Sequence, residues 1–449
     1  MKIKKGKTMK SLPSHITHLT EKYDFEKLIE VLKNHKIIML GESTHGTHEF
    51  YKARIELTKE LIKNHKITAI TLEGDWPSVY KINKYVQGSS PKDTAFSSLS
   101  SIDQFPLWMW RNKDFLEFVI WLYEHNTELE QKNRIGILGL DLYSLHKSAL
   151  EVIKYLEKVD PKESELAKQR YNCFDKFGFD MQNYGYLTTQ NLAPDCQKEI
   201  VEQLVSLQEK SHEYLKDDGF VKQEELFCAE QNSIVVKNAE TYYKSLFFGG
   251  SNISWNIRDS HMMNTLKFLY DHQKNQAKDP KIIVWAHNSH IGDCRATQFA
   301  DDGQINIGQL AREYFGNKVF LLGFMTYQGT VSAASEWGAQ VERKIVRPGI
   351  SESYEKLFHE LARPEQSRRA NTDLLIFSDK LSELDPMLQR AIGVIYKPET
   401  ERFSHYFLTD LKKQFNALIY YDYTIAVEPL EKTAEWEKGE MPETYPFGI

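Results

Sequence analysis

The chain switches repeatedly between short runs of apolar β-formers and longer stretches whose apolar residues recur every three or four positions. The runs are "KIIML" (36–40), "ITAITLE" (67–73), "RIGILGL" (134–140), "KIIVWA" (281–286), "KVFLLGF" (318–324), "DLLIFS" (373–378), "AIGVIY" (391–396) and "ALIYY" (417–421). Most are apolar throughout instead of alternating, which is the pattern of strands covered on both faces in a mainly parallel sheet. Between them, 48–64, 112–131 and 258–273 have helical spacing. Strands and helices taken in turn predict an α/β fold, with a three-layer α/β/α architecture around a mainly parallel central sheet.

From about 146 to 257 the pattern changes. This stretch is polar, rich in Lys, Glu and Gln, and has heptad-like pieces such as "EIVEQLVSLQEKSHEYL" with no convincing strand. It predicts an inserted helical subdomain. The chain then divides into the first part of an α/β catalytic domain (1–145), the insertion (146–257) and the second part of the catalytic domain (258–449). The tail "EKTAEWEKGEMPETYPFGI" predicts irregular structure held down by its aromatic residues.

Composition narrows the function classes. Hydrophobic residues are 41% and charged residues 27%, ordinary for a globular chain of 449 residues. A formal net charge of −6 gives no electrostatic reason to expect nucleic acid or an anionic membrane as partner. No apolar run reaches membrane-spanning length, and the basic start "MKIKKGKTMKSLPSHITHL" lacks the apolar core of a signal peptide. Four cysteines, Cys173, Cys196, Cys228 and Cys294, form no CxxC pair or zinc spacing, which argues against a disulfide framework. The expectation is a cytoplasmic protein acting on a small molecule.

Polar residues gather where the strands end. Run 36–40 leads into "GESTHG", run 67–73 ends at Glu73 before "GDW", run 134–140 leads to Asp141, and run 281–286 leads to "HNSH". In an open parallel sheet these carboxyl ends share the edge where ligands bind. Glu42, His45, Glu73, Asp141, His287 and His290 would meet there. Each alone reads as an N-cap, a turn former or a solvated loop residue; their joint placement marks a site.

Three chemistries compete for "GESTHG". A serine hydrolase elbow needs G-x-S-x-G, but His45 stands where the second glycine belongs, so Ser43 suits a helix N-cap better than a nucleophile. A metal hydrolase has donor types in "ESTH" and "HNSH", yet no H-E-x-x-H. The third chemistry is a histidine base acting on water, its tautomer fixed by a carboxylate, with Glu42 and Glu73 as candidates. Arg54 falls near Phe50, Leu57 and Leu61 on the helical wheel. It either compensates a buried acid or ligand oxyanion there, or snorkels to the surface.

With those residues in hand, the chain resembles the erythromycin esterase family. "LGESTHGTHEFYKAR" (40–54) is similar to that family's first signature and "WAHNSHIG" (285–292) to its second. "SWNIRDSHM" (254–262), "AIGVIYKPETERFSHYF" (391–407) and "TIAVEPL" (424–430) resemble blocks of its bacterial homologues, including succinoglycan biosynthesis proteins. The resemblance implies metal-independent, cofactor-free hydrolysis of a carboxylic ester or lactone by His-activated water. In the best-known members the substrate is a macrocyclic lactone, whose opening would confer macrolide resistance. It implies His45 as base and Glu42 as its acidic neighbour. Arg54 and Glu73 would be supports, and His287 would assist at the carbonyl oxygen, with Arg54 sharing that role. His290, Asp141, Arg258 and His405 fall in matching blocks as substrate-binding candidates. Two other readings stand beside it. One is a haem- or metal-binding protein of related fold, using His45, His287 and His290. The other is a hydrolase of acyl groups on a polysaccharide or its precursor.

Overall fold

Both-face burial is visible strand by strand. The computed structural model describes residues 17–19, 25–178, 180–215, 220–247, 251–276, 279–362, 372–381 and 384–439. Its strands are β1 (Thr17–His18), β2 (Ile37–Leu40), β3 (Ala69–Asp75), β4 (Gly136–Asp141), β5 (Ile282–Trp285), β6 (Val319–Ala333), β7 (Glu342–Val346), β8 (Leu374–Phe377), β9 (Met387–Arg390), β10 (Tyr406–Thr409) and β11 (Ala417–Thr424). One sheet runs β1-β8-β11-β6-β2-β5-β3-β4, with β7 hanging on β6. From β11 to β4 all neighbours are parallel. β8 and β1 close one edge antiparallel. In β2, Ile38 and Leu40 enter one core while Ile37 and Met39 enter the other. Helices His48–His65 and Lys113–Thr127 cover the first face; Ser251–Asn275, Ile307–Phe315 and Tyr354–Ala362 cover the second. The result is the expected three-layer α/β arrangement with a mainly parallel sheet.

Residues Leu145–Val159, Pro161–Tyr171, Met181–Thr189, Gln197–Glu209 and Phe220–Ser245 form helices that share a core of their own. Helix Ser251–Asn275 links that body to the sheet. Its first turns carry Trp255, Arg258 and Asp259, and its later turns pack Met262, Leu266 and Leu269 onto the strands.

Three expectations need correction. "AIGVIY" is not a strand: Ile392 and Ile395 make only single bridges, to Thr44 and Ala334. Its apolar residues Ile392 and Tyr396 are buried against Val331, Ala333 and Val346, so they serve a small cluster beyond the strand ends instead of the sheet. The pairing partner of β10 is β9, just upstream. Cys173 and Cys196 are joined in a disulfide with Cα atoms 5.9 Å apart, while Cys228 and Cys294 are free and buried. Spacing could not show this pair, because the helices of the insertion fold back to bring its members together. The tail is not wholly irregular: Ala434–Lys438 is helical and buried Trp436 donates its Nε1–H to Ser332 Oγ at 2.6 Å. Residues 440–449, with Tyr445 and Phe447, and the basic start at 1–16 lie outside the described residues. No helix among the described residues is long and apolar enough to cross a membrane.

The loop after β2 is buried throughout, so its backbone groups must find protein partners. Gly41 N–H donates to Leu322 O at 2.8 Å, and Glu42 O accepts from Asn288 N at 2.8 Å. Ser43 O accepts from Ile392 N at 2.8 Å, and Gly46 O accepts from Ser332 N at 3.0 Å and Val427 N at 2.8 Å. Four distant segments thus hold one turn. Gly46 is required by close approach, since a Cβ there would stand 1.9 Å from the Ser332 carbonyl oxygen. Backbone cannot yield as a side-chain tip can, so Gly46→Ala should cost about 1–3 kcal/mol. A thermal midpoint equal to that of the wild type would refute this account of the loop.

Candidate active site

The pinned loop delivers Glu42 and His45 to the carboxyl end of β2. Glu42 is fully buried. Its Oε1 accepts from His45 Nδ1 at 2.9 Å and its Oε2 from Arg54 Nη2 at 2.6 Å. With Nδ1 donating, the His45 tautomer leaves the Nε2 lone pair free. The Tyr51 hydroxyl sits between the carbonyl oxygens of Met109, the nearer, and His45, and packs against the same turn.

Arg54 lies behind Glu42, away from the open site. It is fully buried, with its guanidinium 4.6 Å from the Tyr51 ring centroid and 5.2 Å from that of Trp285. It does not line the cavity, so it cannot steady a substrate oxyanion. Its role is to balance the buried charge of Glu42. Ser43 is likewise no N-cap: the helix begins at His48, after Thr47, and Ser43 lies buried within the loop.

Glu73, at the end of β3, is the second buried carboxylate. Its Oε2 accepts from the His287 backbone N–H at 2.8 Å and its Oε1 from Arg258 Nη2 at 2.9 Å. His290 Nε2 is 3.3 Å and His45 Nε2 is 4.0 Å from that Oε1. Burial works to raise its pKa, but His290 and Arg258 beside it win and hold it well below the usual carboxylate range. Asp141 grips Arg258 through both oxygens, with Nε to Oδ1 at 3.0 Å and Nη2 to Oδ2 at 2.6 Å.

The two histidines of the second signature differ. His287 Nδ1 accepts from the Ser289 amide at 3.2 Å and lies 2.8 Å from its hydroxyl, so the proton sits on Nε2. Nε2 is buried with no hydrogen-bond partner. Burial, then the nearby His45, depress the His287 pKa to about 3, and the ring is neutral. His290 is the reverse. Burial opposes its charge, but Asp259 and Glu73 outweigh burial and lift it to about 9. Its Nδ1 is 3.0 Å from both Asp259 oxygens, and its ring stacks on Trp255 at 4.5 Å. Its Nε2 also lies 3.0 Å from Arg258 Nη1, so both ring nitrogens are engaged by protein groups and its position makes it a support for Glu73. Among the described residues, no three His, Cys, Asp or Glu side chains are grouped to hold a metal ion.

These groups face a cavity of about 1140 Å³, with His45, Glu73, Asp141, Arg258, His287, His290 and His405 all in its lining. The His405 ring is occupied by its own turn: Nε2 accepts from Lys397 N at 3.2 Å, and Nδ1 is 3.3 Å from Ala391 O. It shapes the rim. Of the predicted residues, the fold gathers all but Glu42 and Arg54 at the cavity wall, and those two lie buried behind His45. Reading the sequence missed Asp259 and Trp255, although both lie in "SWNIRDSHM". An acid next to Arg258 on an otherwise apolar helix face was the available signal.

A family model described as erythromycin esterase matches residues 62–424. The chain belongs to the erythromycin esterase family. The match includes Glu73, Asp141, Arg258, His287, His290 and His405; the Glu42–Arg54 segment precedes it. Erythromycin esterase type II of Escherichia coli is 22% identical over 337 residues, spanning 72% of this chain and 77% of that protein. The crystal structure of a succinoglycan biosynthesis protein is similar in fold, with a TM-score of 0.70, 19% identity, and 92% of this chain and 96% of that one covered. A mutant of the erythromycin esterase EreC in its open conformation has a TM-score of 0.63 at 16% identity, covering 92% and 96%. Membership supports hydrolase activity at the level of the family.

Two tests follow from the buried charges. Glu42→Gln leaves the Arg54 guanidinium unpaired and should cost about 3–5 kcal/mol, whereas adding Arg54→Met should recover part of that loss. Denaturant titrations showing the double variant weaker than the single one would contradict the pairing. The second concerns pH. Because the folded His290 pKa lies above the unfolded 6.5, its contribution to stability is complete below pH 6.5 and disappears as pH rises through about 9. The thermal advantage of wild type over His290→Gln should therefore shrink across that interval. An advantage that stays constant or grows would be incompatible with a charged His290.

Proposed function

We propose that the protein hydrolyses a carboxylic ester or lactone with water as nucleophile and His45 as general base. The observation that carries this reading is the free Nε2 of His45, oriented by Glu42 through Nδ1 and facing the cavity beside Glu73. A separation of 4.0 Å between His45 Nε2 and Glu73 Oε1 suits a water that donates one hydrogen to each. As that water attacks the carbonyl carbon, its proton passes to Nε2. Glu42 stabilises the imidazolium that forms, as a buried carboxylate does in other hydrolytic triads. The proton then returns to the leaving alkoxide.

The developing oxyanion needs a donor that is not already engaged. His287 supplies it: neutral, with a buried Nε2–H lacking a partner, and with its ring 4.8 Å from that of His45. Arg258 and His290 fix Glu73 in its ionised form and take no part in bond making. The cavity volume admits a bulky ester, a macrocycle included.

His45→Ala should lower turnover of an activated aryl ester by about 10²–10⁴-fold while leaving the circular dichroism spectrum unchanged. Ser43→Ala should retain most activity. The reverse pattern, with Ser43 essential and His45 dispensable, restores a serine nucleophile. Substrate range is read by mass spectrometry after incubation with erythromycin and simple aryl esters, with and without chelator. Addition of one water to the macrolide, insensitive to chelator, is the expected result if the macrocycle is a substrate. Reaction of the simple esters alone keeps the mechanism and removes the drug.

A further inference from the structure

The part of the cavity wall that comes from the insertion is tied by a covalent bond that the hydrolytic step does not use. Asp180, Met181 and Gln182 line the cavity, and all three lie in the stretch between Cys173 and Cys196. Asp180 accepts from Asn183 N at 2.9 Å and so caps the helix Met181–Thr189. That helix packs on the end of the helix Phe220–Ser245, which carries Tyr242 and Tyr243 to the same cavity. The approach is close, since a Cβ on Gly185 would stand 2.2 Å from Tyr243 O.

Two polar contacts lead from this wall to the bridge. The Tyr184 hydroxyl accepts from Cys196 N at 3.0 Å and donates to Glu240 Oε1 at 2.9 Å. Asp195, next to Cys196, pairs with Lys244 at 2.9 Å. The place of Cys196 is therefore felt by both helices that wall the cavity. The bridge fixes that place by tying Cys196 to Cys173 in the turn Asn172–Phe177.

The two sulfurs are not equivalent. Cys196 is 1% exposed, whereas Cys173 is only partly buried, so an incoming thiolate reaches Cys173 first. In thiol–disulfide exchange the attacked sulfur keeps the newcomer and the other sulfur leaves as a thiolate. Here the leaving sulfur belongs to Cys196, the N-cap residue of the 13-residue helix Gln197–Glu209. The amides of a first helical turn carry partial positive charge and favour a thiolate beside them, which offsets the cost of burying it. Access at one sulfur and a stabilised leaving group at the other let such a bridge open while the protein stays folded.

We propose that the Cys173–Cys196 bridge is a redox switch on the cavity wall: a dithiol reductant opens it, the helix Met181–Thr189 loosens, and large esters bind less well while the cleaving groups are untouched. One thiolate of the reductant bonds to Cys173 Sγ, and Cys196 leaves with the electron pair of the S–S bond. The second thiol of the reductant then displaces Cys173. The reductant ends as a disulfide, and the two cysteines end as thiols carrying its two protons. The assignment rests on the hydrolase reading only in calling the bound ester a substrate. His45 is insulated because its loop is bonded to the sheet, to the turn after β5 and to later segments, none of them in the insertion.

The full chain is compared oxidised, reduced by dithiothreitol, and reoxidised. Mass spectrometry after acid quench and alkylation counts the bridge. Hydrogen–deuterium exchange reads the wall, and hydrolysis of 4-nitrophenyl acetate and 4-nitrophenyl decanoate reads the site. Dithiothreitol should open the bridge in the folded protein, and the amides of Met181–Thr189 should then exchange about tenfold faster or more. KM for the decanoate should rise about three- to tenfold, with kcat and KM for the acetate unchanged. Reoxidation should restore every value. Cys196→Ser should match the reduced protein with or without dithiothreitol; should that variant not fold, the reversible cycle of wild type carries the test. An oxidised chain without the bridge, a bridge that opens only on unfolding, wall amides that exchange alike in both states, or equal KM changes for the two esters each overturn the switch. If the wall responds and neither ester is cleaved in either state, the redox-controlled wall stands and the hydrolase reading loses its support. If both esters are cleaved and neither exchange nor KM responds to reduction, hydrolysis stands and the switch falls.

Discussion

A carboxylate withdrawn from water must be met by donors, and two such carboxylates organise this protein. Glu42 and Glu73 are both buried, at the ends of β2 and β3. Each is answered by an arginine and a histidine: Arg54 and His45 for the first, Arg258 and His290 for the second. The arginines are fixed positive charges, so each buried carboxylate faces a full cation, and the histidines beside them differ in what their ring nitrogens meet. His45 is left with a free Nε2, His290 carries a proton, and His287, which has no acid at its ring, stays neutral. Three imidazoles in one cavity thus acquire three different roles from their immediate neighbours.

Those charges can be held because the backbone around them has no freedom. The loop after β2 is bonded by residues from β6, the turn after β5, the 391–396 segment and the chain after β11. Gly46 lets two of these chains approach the same carbonyl. Strain in any one of the four would be transmitted to His45, since it lies in the same turn. The extension of β6 beyond the sheet and the apolar cluster around Ile392 and Tyr396 supply that support instead of a further strand.

The helical body contributes the wall opposite the strand ends. Tyr242 and Tyr243 come from its longest helix, Asp180 and Met181 from the turn enclosed by the Cys173–Cys196 bridge. The histidines and most of the acids of the cavity therefore come from the strand ends, while aromatic and apolar parts of its wall come from the insertion. This division allows chemistry to stay constant while substrate changes.

Unbroken apolar runs by themselves imply buried parallel strands, and the acids and histidines that follow them imply a site at the carboxyl edge, because both follow from local spacing. Helical spacing also placed Arg54 on the core face. What that residue touches was beyond spacing: only the packed structure shows it behind Glu42, with no route to a substrate. The same holds for "AIGVIY", whose composition suits a strand but which makes only isolated bridges and packs Ile392 and Tyr396 into a small cluster. Cys173 meets Cys196 and Asp259 meets His290 for the same reason. Period and composition are properties of the chain, but the proton state of a buried group and the identity of its partner depend on residues tens or hundreds of positions away, and only folding brings those within bonding distance.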